Sequence, residues 1–259
     1  MKIGFFDSGI GGLTVLNESL KMLPNEDYIY YADVLHVPYG TKPKEEVRKY
    51  VFEAVTFLSN QNIKALVIAC NTATSIAVDN LRCEFDFPII GMEPAVKPAI
   101  EKNSNINKRV LVFATELTLK EDKFKKLVSK VDNDNIVDFL PLGGLVKFAE
   151  NFIFDEEVIT TYLKEELSTF DLNLYSTVVL GCTHFPIYKN MFKKVLPPQI
   201  AIIDGNLGTV KNLKTTLENK NLLNGGNSNI IFYRSGKMVE DNKTISKYKN
   251  ILNLLNSDS

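Results

Sequence analysis

The chain has 259 residues, 45% of them hydrophobic, and its 30 basic and 31 acidic side chains leave a net charge of −1. That length supports one large or two modest cores, and the balanced charge gives no electrostatic ground for nucleic acid or an anionic membrane as the main partner. No stretch approaches the ~20 apolar residues of a membrane span, the opening apolar run meets Asp7 too soon for a signal peptide, and three cysteines argue for free thiols, so a cytoplasmic protein is expected.

The run from Lys2 to Phe6 reads as a strand leading into Asp7-Ser8-Gly9-Ile10-Gly11-Gly12. Its glycines permit a tight turn, and Leu13, Leu16, Leu20 and Leu23 then recur at helical spacing, so a helix N-terminus faces any anion held there. A strand is predicted over Tyr28 to Tyr31, a turn over Val37 to Gly40 and an amphipathic helix from Lys44 to Asn60. Next comes Ala65-Leu66-Val67-Ile68-Ala69-Cys70-Asn71-Thr72. A continuous apolar run closing on small polar residues is the pattern of a strand covered on both faces of a parallel sheet. A helix from Ala73 to Leu81 and a short strand from Pro88 to Gly91 follow, leading to Glu93-Pro94.

The pattern begins again at Lys108 with a strand ending in a polar loop, Thr115 to Thr118. A helix from Lys120 to Val131, a strand from Ile136 to Leu140, a stretch from Leu142 to Phe154 containing Glu150, and a helix from Val158 to Leu167 come next. Thr177-Val178-Val179-Leu180-Gly181-Cys182-Thr183-His184 then repeats the cysteine strand, with Cys182 standing 112 positions after Cys70. Thr115 stands 108 positions after Asp7, so the offset is nearly kept, as in a duplicated α/β unit. Beyond it are predicted a helix from Tyr188 to Val195, a strand from Ile200 to Ile203, a helix from Val210 to Leu222, a turn over Asn224 to Asn227 and a strand from Ile230 to Tyr233. The last helix, Val239 to Leu255, is highly charged and expected to cover the surface, and the tail after it to fray.

Alternating strands and helices predict an α/β fold of two similar doubly wound, mainly parallel-sheet domains related by a pseudo-two-fold axis. The expected division is residues 1–92 with 208–259 in one domain and 93–207 in the other. Parallel sheets bind ligands beyond the carboxyl ends of their strands, so the cleft between the domains should collect Asp7, Tyr39, Cys70, Thr115, Glu150 and Cys182.

Inverting a carbon stereocentre by proton transfer needs a base on one face and an acid on the other, and two cysteines at equivalent ends of duplicated units supply that symmetry. Each opens a predicted helix, whose N-terminus should lower the thiol from its usual pKa near ~8.5. Asp7 and His184 are candidates to orient or relay protons to the thiols, with Glu150 on the Cys182 side. Ser8, Gly40, Asn71, Thr72 and Thr183 offer hydrogen bonds to an α-carboxylate. Each assignment has a plainer rival: a lone strand-end cysteine is more often packing, Asp7 can cap the glycine turn, Glu150 can be a solvated helix residue, and Thr115 with Thr118 can be a helix cap. Cys83 has no polar company and is read as structural.

The motifs Phe6-Asp7-Ser8-Gly9-Ile10-Gly11-Gly12, Pro38-Tyr39-Gly40, Ala69-Cys70-Asn71-Thr72-Ala73 and Gly181-Cys182-Thr183-His184-Phe185-Pro186 together resemble the glutamate racemases, in order and spacing, from Lys2 to about Tyr233. The resemblance implies cofactor-independent interconversion of L- and D-glutamate, supplying D-glutamate for peptidoglycan. It implies that Cys70 acts on the D-enantiomer and Cys182 on the L-enantiomer. Substrate would lie against Asp7, Ser8, Tyr39, Gly40, Asn71, Thr72, Thr183 and His184, with Thr115 and Thr118 beside them. No cofactor, metal, nucleic acid or membrane partner is expected, and the expected assembly is a homodimer. The sequence departs from that family's pattern at Ala32, His36 and Thr74, and only loosely matches it over Asp204-Gly205-Asn206.

Other readings stay open. A related racemase of aspartate or another amino acid would use the same cysteine pair. Gly9-Ile10-Gly11 after a strand, with Asp33 further on, imitates a dinucleotide-binding unit, but position 14 is threonine and Asp7 would sit beside the pyrophosphate. A thiol redox or metal site lacks a Cys-x-x-Cys pair and has few ligands. A purely binding cleft would do no chemistry at the α-carbon.

Overall fold

The computed structural model describes residues 1–92, 94–103, 108–223 and 225–257, so Glu93 of the expected Glu93-Pro94 junction and Asn224 of the expected turn lie outside the described residues. Two sheets form, each around the strand that opens a repeat. In the first, β1 (Lys2–Asp7) lies between β2 (Tyr28–Ala32) and β3 (Ile63–Ile68), with β4 (Ile89–Gly91) outside β3. In the second, β5 (Arg109–Ala114) lies between β6 (Val137–Pro141) and β7 (Tyr175–Leu180), with β8 (Ala201–Asp204) outside β7.

The order β2-β1-β3-β4 is therefore matched by β6-β5-β7-β8, and every pair is parallel. The likeness extends to an irregularity. In both sheets the register slips after the first residue of the central strand, between Lys2 and Ile3 and between Arg109 and Val110. In each, the chain leaves the central strand to one side and returns on the other, which is the switch point where loops part and a crevice opens.

The first sheet is extended by β9 (Ile230–Arg234), parallel to β2, and by β10 (Lys237–Met238), antiparallel to β9. The two residues between them, Ser235 (φ 43) and Gly236 (φ 83), have the positive φ that a two-residue hairpin turn requires. β10 was not predicted, because two residues carry no periodicity.

Helices cover both faces. In the first unit they are α1 (Leu13–Met22), α2 (Lys44–Ser59) and α3 (Asn71–Glu84), and α4 (Val96–Asn103) leads into the second. The second unit holds α5 (Glu116–Lys120), α6 (Asp122–Val131), α7 (Gly143–Glu150), α8 (Glu156–Leu167) and α9 (Lys189–Val195). The chain then returns to the first sheet through α10 (Asn206–Asn219) and closes with α11 (Asn242–Ser257). α1 packs against α10 and α11, and α2 packs against α3. Strand alternation feeds the two faces: Ile3 and Phe5 enter one core, Phe6 the other. Each such fully buried side chain stabilises the fold by roughly 1.5–3 kcal/mol. The larger core is continuous across both units, joining Phe5 and Val67 to Phe113 and Leu180.

Two expectations about the elements need correction, and one helix shows no sequence signal. The polar loop expected over Thr115 to Thr118 is the start of α5, because the Thr115 hydroxyl accepts from the Thr118 amide and caps it. Helix α4 was not predicted, since Pro98 interrupts its pattern, yet proline is tolerated in a first turn. The final helix does more than cover the surface: Tyr248, Ile251 and Leu252 are buried in the larger core, and α11 runs to Ser257, two residues into the tail expected to fray, whose last two residues lie outside the described residues.

Candidate active site

The loops after β1, β3, β5 and β7 are tied together by side-chain hydrogen bonds. From the first sheet, Thr72 meets Thr115 and Thr118 of the second, each hydroxyl pair 3.0 Å apart. The Thr183 hydroxyl, at the end of the second sheet, donates to Asp7 Oδ2 at 3.0 Å. A Cβ at Gly40 would lie 2.5 Å from Thr115 Cβ, and one at Gly11 2.5 Å from Thr183 Oγ1, so these glycines let the opposing loops close.

Cys70 caps α3. Its Sγ accepts from the Ala73 amide at 3.5 Å and its thiol points to Ser8 Oγ at 3.7 Å. The thiol is pushed up to about 12, first by burial and then by the Asp7 carboxylate, with Cys182 adding to the rise; the Ala73 amide and the Ser8 hydroxyl oppose them. This corrects the expectation that the helix N-terminus alone would yield thiolate, because desolvation outweighs one amide and a hydroxyl. Asp7 itself is raised to about 6, chiefly by burial, against the pull of His184, the Gly9 amide and Thr183. Its Oδ1 accepts from Gly9 N–H at 2.9 Å.

Cys182 is served differently. Its Sγ lies 3.6 Å from His184 Nδ1, and His184 Nε2 lies 2.7 Å from Glu150 Oε1, so thiol, imidazole and carboxylate form a line. Burial favours neutral imidazole, yet the bonds to Cys182 and Glu150 outweigh it and hold His184 well above its ordinary pKa. Glu150 ends α7 and also accepts from the Ile10 amide at 2.7 Å. The element after Cys182 is a four-residue 3₁₀ turn, Phe185–Tyr188, rather than the α-helix expected to open there.

Asn71, 6% exposed, keeps its side-chain oxygen buried without a hydrogen-bond partner among the described residues, as a polar group awaiting a ligand would. The loop between β1 and α1, by contrast, has its Gly9 and Ile10 amides already bonded to Asp7 and Glu150, so a pyrophosphate would meet two carboxylates there.

A family model described as Asp/Glu/hydantoin racemase matches residues 14–213. The chain belongs to that racemase family. It is 59% identical to "Glutamate racemase 2" of Bacillus subtilis over 255 residues, covering 98% of this chain and 96% of that one. Among solved structures, Francisella tularensis glutamate racemase in complex with D-glutamate superposes with a TM-score of 0.81 at 34% identity, covering 97% of this chain and 93% of that one. Escherichia coli glutamate racemase, in complex with L-glutamate and the activator UDP-MurNAc-Ala, superposes with a TM-score of 0.82 at 29% identity and 95% coverage of each chain.

In this racemase hydrogen bonds, close approaches and chain adjacency gather the residues singled out in the sequence around the carboxyl ends of the strands: Asp7, Ser8, Tyr39, Gly40, Cys70, Asn71, Thr72, Thr115, Thr118, Glu150, Cys182, Thr183 and His184. The exception is Cys83, read as structural but exposed on α3. Two supporting residues were missed. Asp33, considered only as a ribose ligand, accepts from Tyr39 Oη at 2.6 Å and from the Ser235 hydroxyl at 2.9 Å, and pairs with His36 Nδ1 at 2.9 Å, so its carboxylate is fully engaged beneath the Tyr39 turn. Thr14, noted only as the missing third glycine, donates from Oγ1 to the Gly11 carbonyl at 2.9 Å and lies 3.1 Å from the Thr183 carbonyl. Both effects depend on contacts between distant segments, which a motif does not record. At the rim, Lys44 pairs with Glu121 at 2.6 Å and Lys123 with Asp79 at 2.9 Å, linking α2 and α3 to the second unit. No helix among the described residues is long and apolar enough to cross a membrane.

Proposed function

We propose that this racemase interconverts L- and D-glutamate through Cys70 and Cys182, without a cofactor, and supplies D-glutamate for peptidoglycan. One observation carries the two-base reading: a thiol follows each of the equivalent strands β3 and β7, Cys70 with the Ser8 hydroxyl beside it and Cys182 with the His184 imidazole.

With D-glutamate, Cys70 Sγ takes the Cα proton while the thiol of Cys182 delivers one to the opposite face; with L-glutamate the roles exchange. Burial keeps Cys70 a thiol until the substrate's α-ammonium enters, and that positive charge lowers it toward thiolate. Asp7 supports the Cys70 face. His184, backed by Glu150, holds or releases the proton at Cys182. Ser8, Asn71, Thr72, Thr183 and the Tyr39-Gly40 turn hold the substrate, with Thr115 and Thr118 closing the far wall; the unpaired Asn71 side-chain oxygen suits a donor such as the substrate's ammonium. The names and bound ligands of the relatives support glutamate over aspartate.

The test is direct. Native protein given L-glutamate or D-glutamate should bring either to the racemate, followed by optical rotation, with aspartate turned over far more slowly. No inversion of glutamate, or faster inversion of aspartate, overturns the substrate assignment. The proposal also holds residues 1–92 with 208–259 as one domain and 93–207 as the other, a homodimer as the working assembly and the cytoplasm as its location. The three free cysteines suit a reducing compartment. Sedimentation should give twice the 29.2 kDa of one chain, and a monomer would remove that part.

A further inference from the structure

We infer that Tyr30 is a positioning residue that sets both halves of the site by clamping the Gly9–Ile10 peptide. Tyr30 lies in the middle of β2, wholly buried, with its ring packed edge-on against Phe232 and Tyr248. Its hydroxyl donates to the Gly9 carbonyl at 2.7 Å. The N–H of that same peptide belongs to Ile10 and donates to Glu150 Oε1 at 2.7 Å, the oxygen that pairs with His184. One peptide plane is therefore held at its oxygen by Tyr30 and at its nitrogen by Glu150. The preceding peptide carries Gly9 N–H, which donates to Asp7 Oδ1 at 2.9 Å, so turning the Gly9 carbonyl also disturbs Asp7.

The other bonds of this turn act further along it: Thr14 holds the Gly11 carbonyl through its hydroxyl and amide, and the Leu13 amide donates to the Ile10 carbonyl. Helix α1 has no side-chain cap, and the Gly9 carbonyl has Tyr30 as its one side-chain donor among the described contacts. The titratable groups around the clamp are Asp7 on β1, Glu150 on α7, His184 before the 3₁₀ turn, Cys70 before α3 and Tyr248 on α11. Without the hydroxyl the buried carbonyl loses its partner and the peptide is free to rotate. Glu150 then loses its amide and its fixed bond to His184, and Asp7 loses the amide that favours its carboxylate.

The consequence for turnover rests on the glutamate reading, so the test has one arm that does not. Tyr30→Phe keeps the ring and removes only the hydroxyl. Tyr28→Phe is the control: it lies on the same strand, its buried hydroxyl donates to the Leu23 carbonyl at 2.6 Å, and it has no contact with the β1–α1 loop hydrogen bonds. Turnover of both enantiomers by Tyr30→Phe should fall about tenfold in kcat with little change in KM, and the acid limb of its pH profile should move up as Asp7 loses its amide. The chain has only two histidines, His36 and His184, so labelled-histidine NMR resolves them. In Tyr30→Phe the His184 midpoint should fall by about half a unit with His36 unmoved, and Tyr28→Phe should leave kinetics and both midpoints unchanged. A Tyr30→Phe protein matching native in the His184 midpoint and pH profile, or a Tyr28→Phe protein reproducing its changes, overturns the inference. Native protein inert toward glutamate overturns the substrate reading instead, and the histidine titration still decides Tyr30.

Discussion

The Cys70 and Cys182 halves of the cleft share a backbone and differ in chemistry. Each cysteine follows the third strand of a β2-β1-β3-β4 arrangement, and each central strand slips register at the same place. Yet Cys70 faces a hydroxyl, one amide and a buried carboxyl, whereas Cys182 faces an imidazole fixed by a second carboxylate. The repeated scaffold puts a sulfur after each equivalent strand, and the side chains around the two sulfurs differ. Under the proposed reading the difference suits the substrate: with ammonium, α-carboxylate and side chain held in one orientation, the hydrogen lies on one face of Cα in the L-enantiomer and on the other in the D-enantiomer, and the two faces have unlike surroundings. A symmetric scaffold thus carries an asymmetric pair of acids.

The largest effect that could break this comparison is removal of either sulfur. Cys70→Ser and Cys182→Ser should each lower turnover by about 10³-fold or more, because a hydroxyl is a far weaker proton donor and acceptor than a thiol. Enantiomers have equal free energy, so kcat/KM must fall equally in both directions in each variant. Appreciable racemisation by either would contradict the need for both.

His184→Asn comes next, with an expected loss of about a hundredfold in kcat/KM. The asymmetry should appear as an isotope effect that grows for α-deuterated L-glutamate and not for the D-enantiomer, since only the Cys182 step is slowed. Equal growth for both would mean that His184 serves the cleft as a whole. Glu150→Gln should be milder, about tenfold, and should move the basic limb of the pH profile down. The sign follows from the bond that Glu150 makes: it raises His184, so losing the carboxylate lowers it. An unmoved basic limb would detach Glu150 from the relay.

The smallest effect belongs to Asp7 in native protein. With its carboxyl raised to about 6, half the molecules carry the protonated form there, and kcat/KM should fall as pH drops through that value. Asp7→Asn should abolish this limb as well as slow turnover; a limb that survives would belong to another group.

Much of this is legible in the sequence alone. Apolar runs closing on Cys70 and Cys182 are the signature of buried parallel strands, and the near-constant offset foretold two units. What stayed hidden depends on three dimensions. The lowered thiol expected from a helix N-terminus failed because burial of Cys70 could not be weighed from its neighbours in sequence. Asp33 and Thr14 stand in motifs they do not serve, since their partners Ser235 and Thr183 lie 202 and 169 positions away. Helix α4 and strand β10 were too short or too interrupted to show a period.

The most direct test of two opposed bases follows solvent deuterium at the α-carbon during the first few per cent of conversion in heavy water. Starting from either enantiomer, the label should appear in the inverted product and be absent from the remaining substrate, because the sulfur that removes the proton is not the one that delivers the deuteron. Deuterium accumulating in unconverted substrate as fast as in product would mean that one group serves both faces, and would contradict the account.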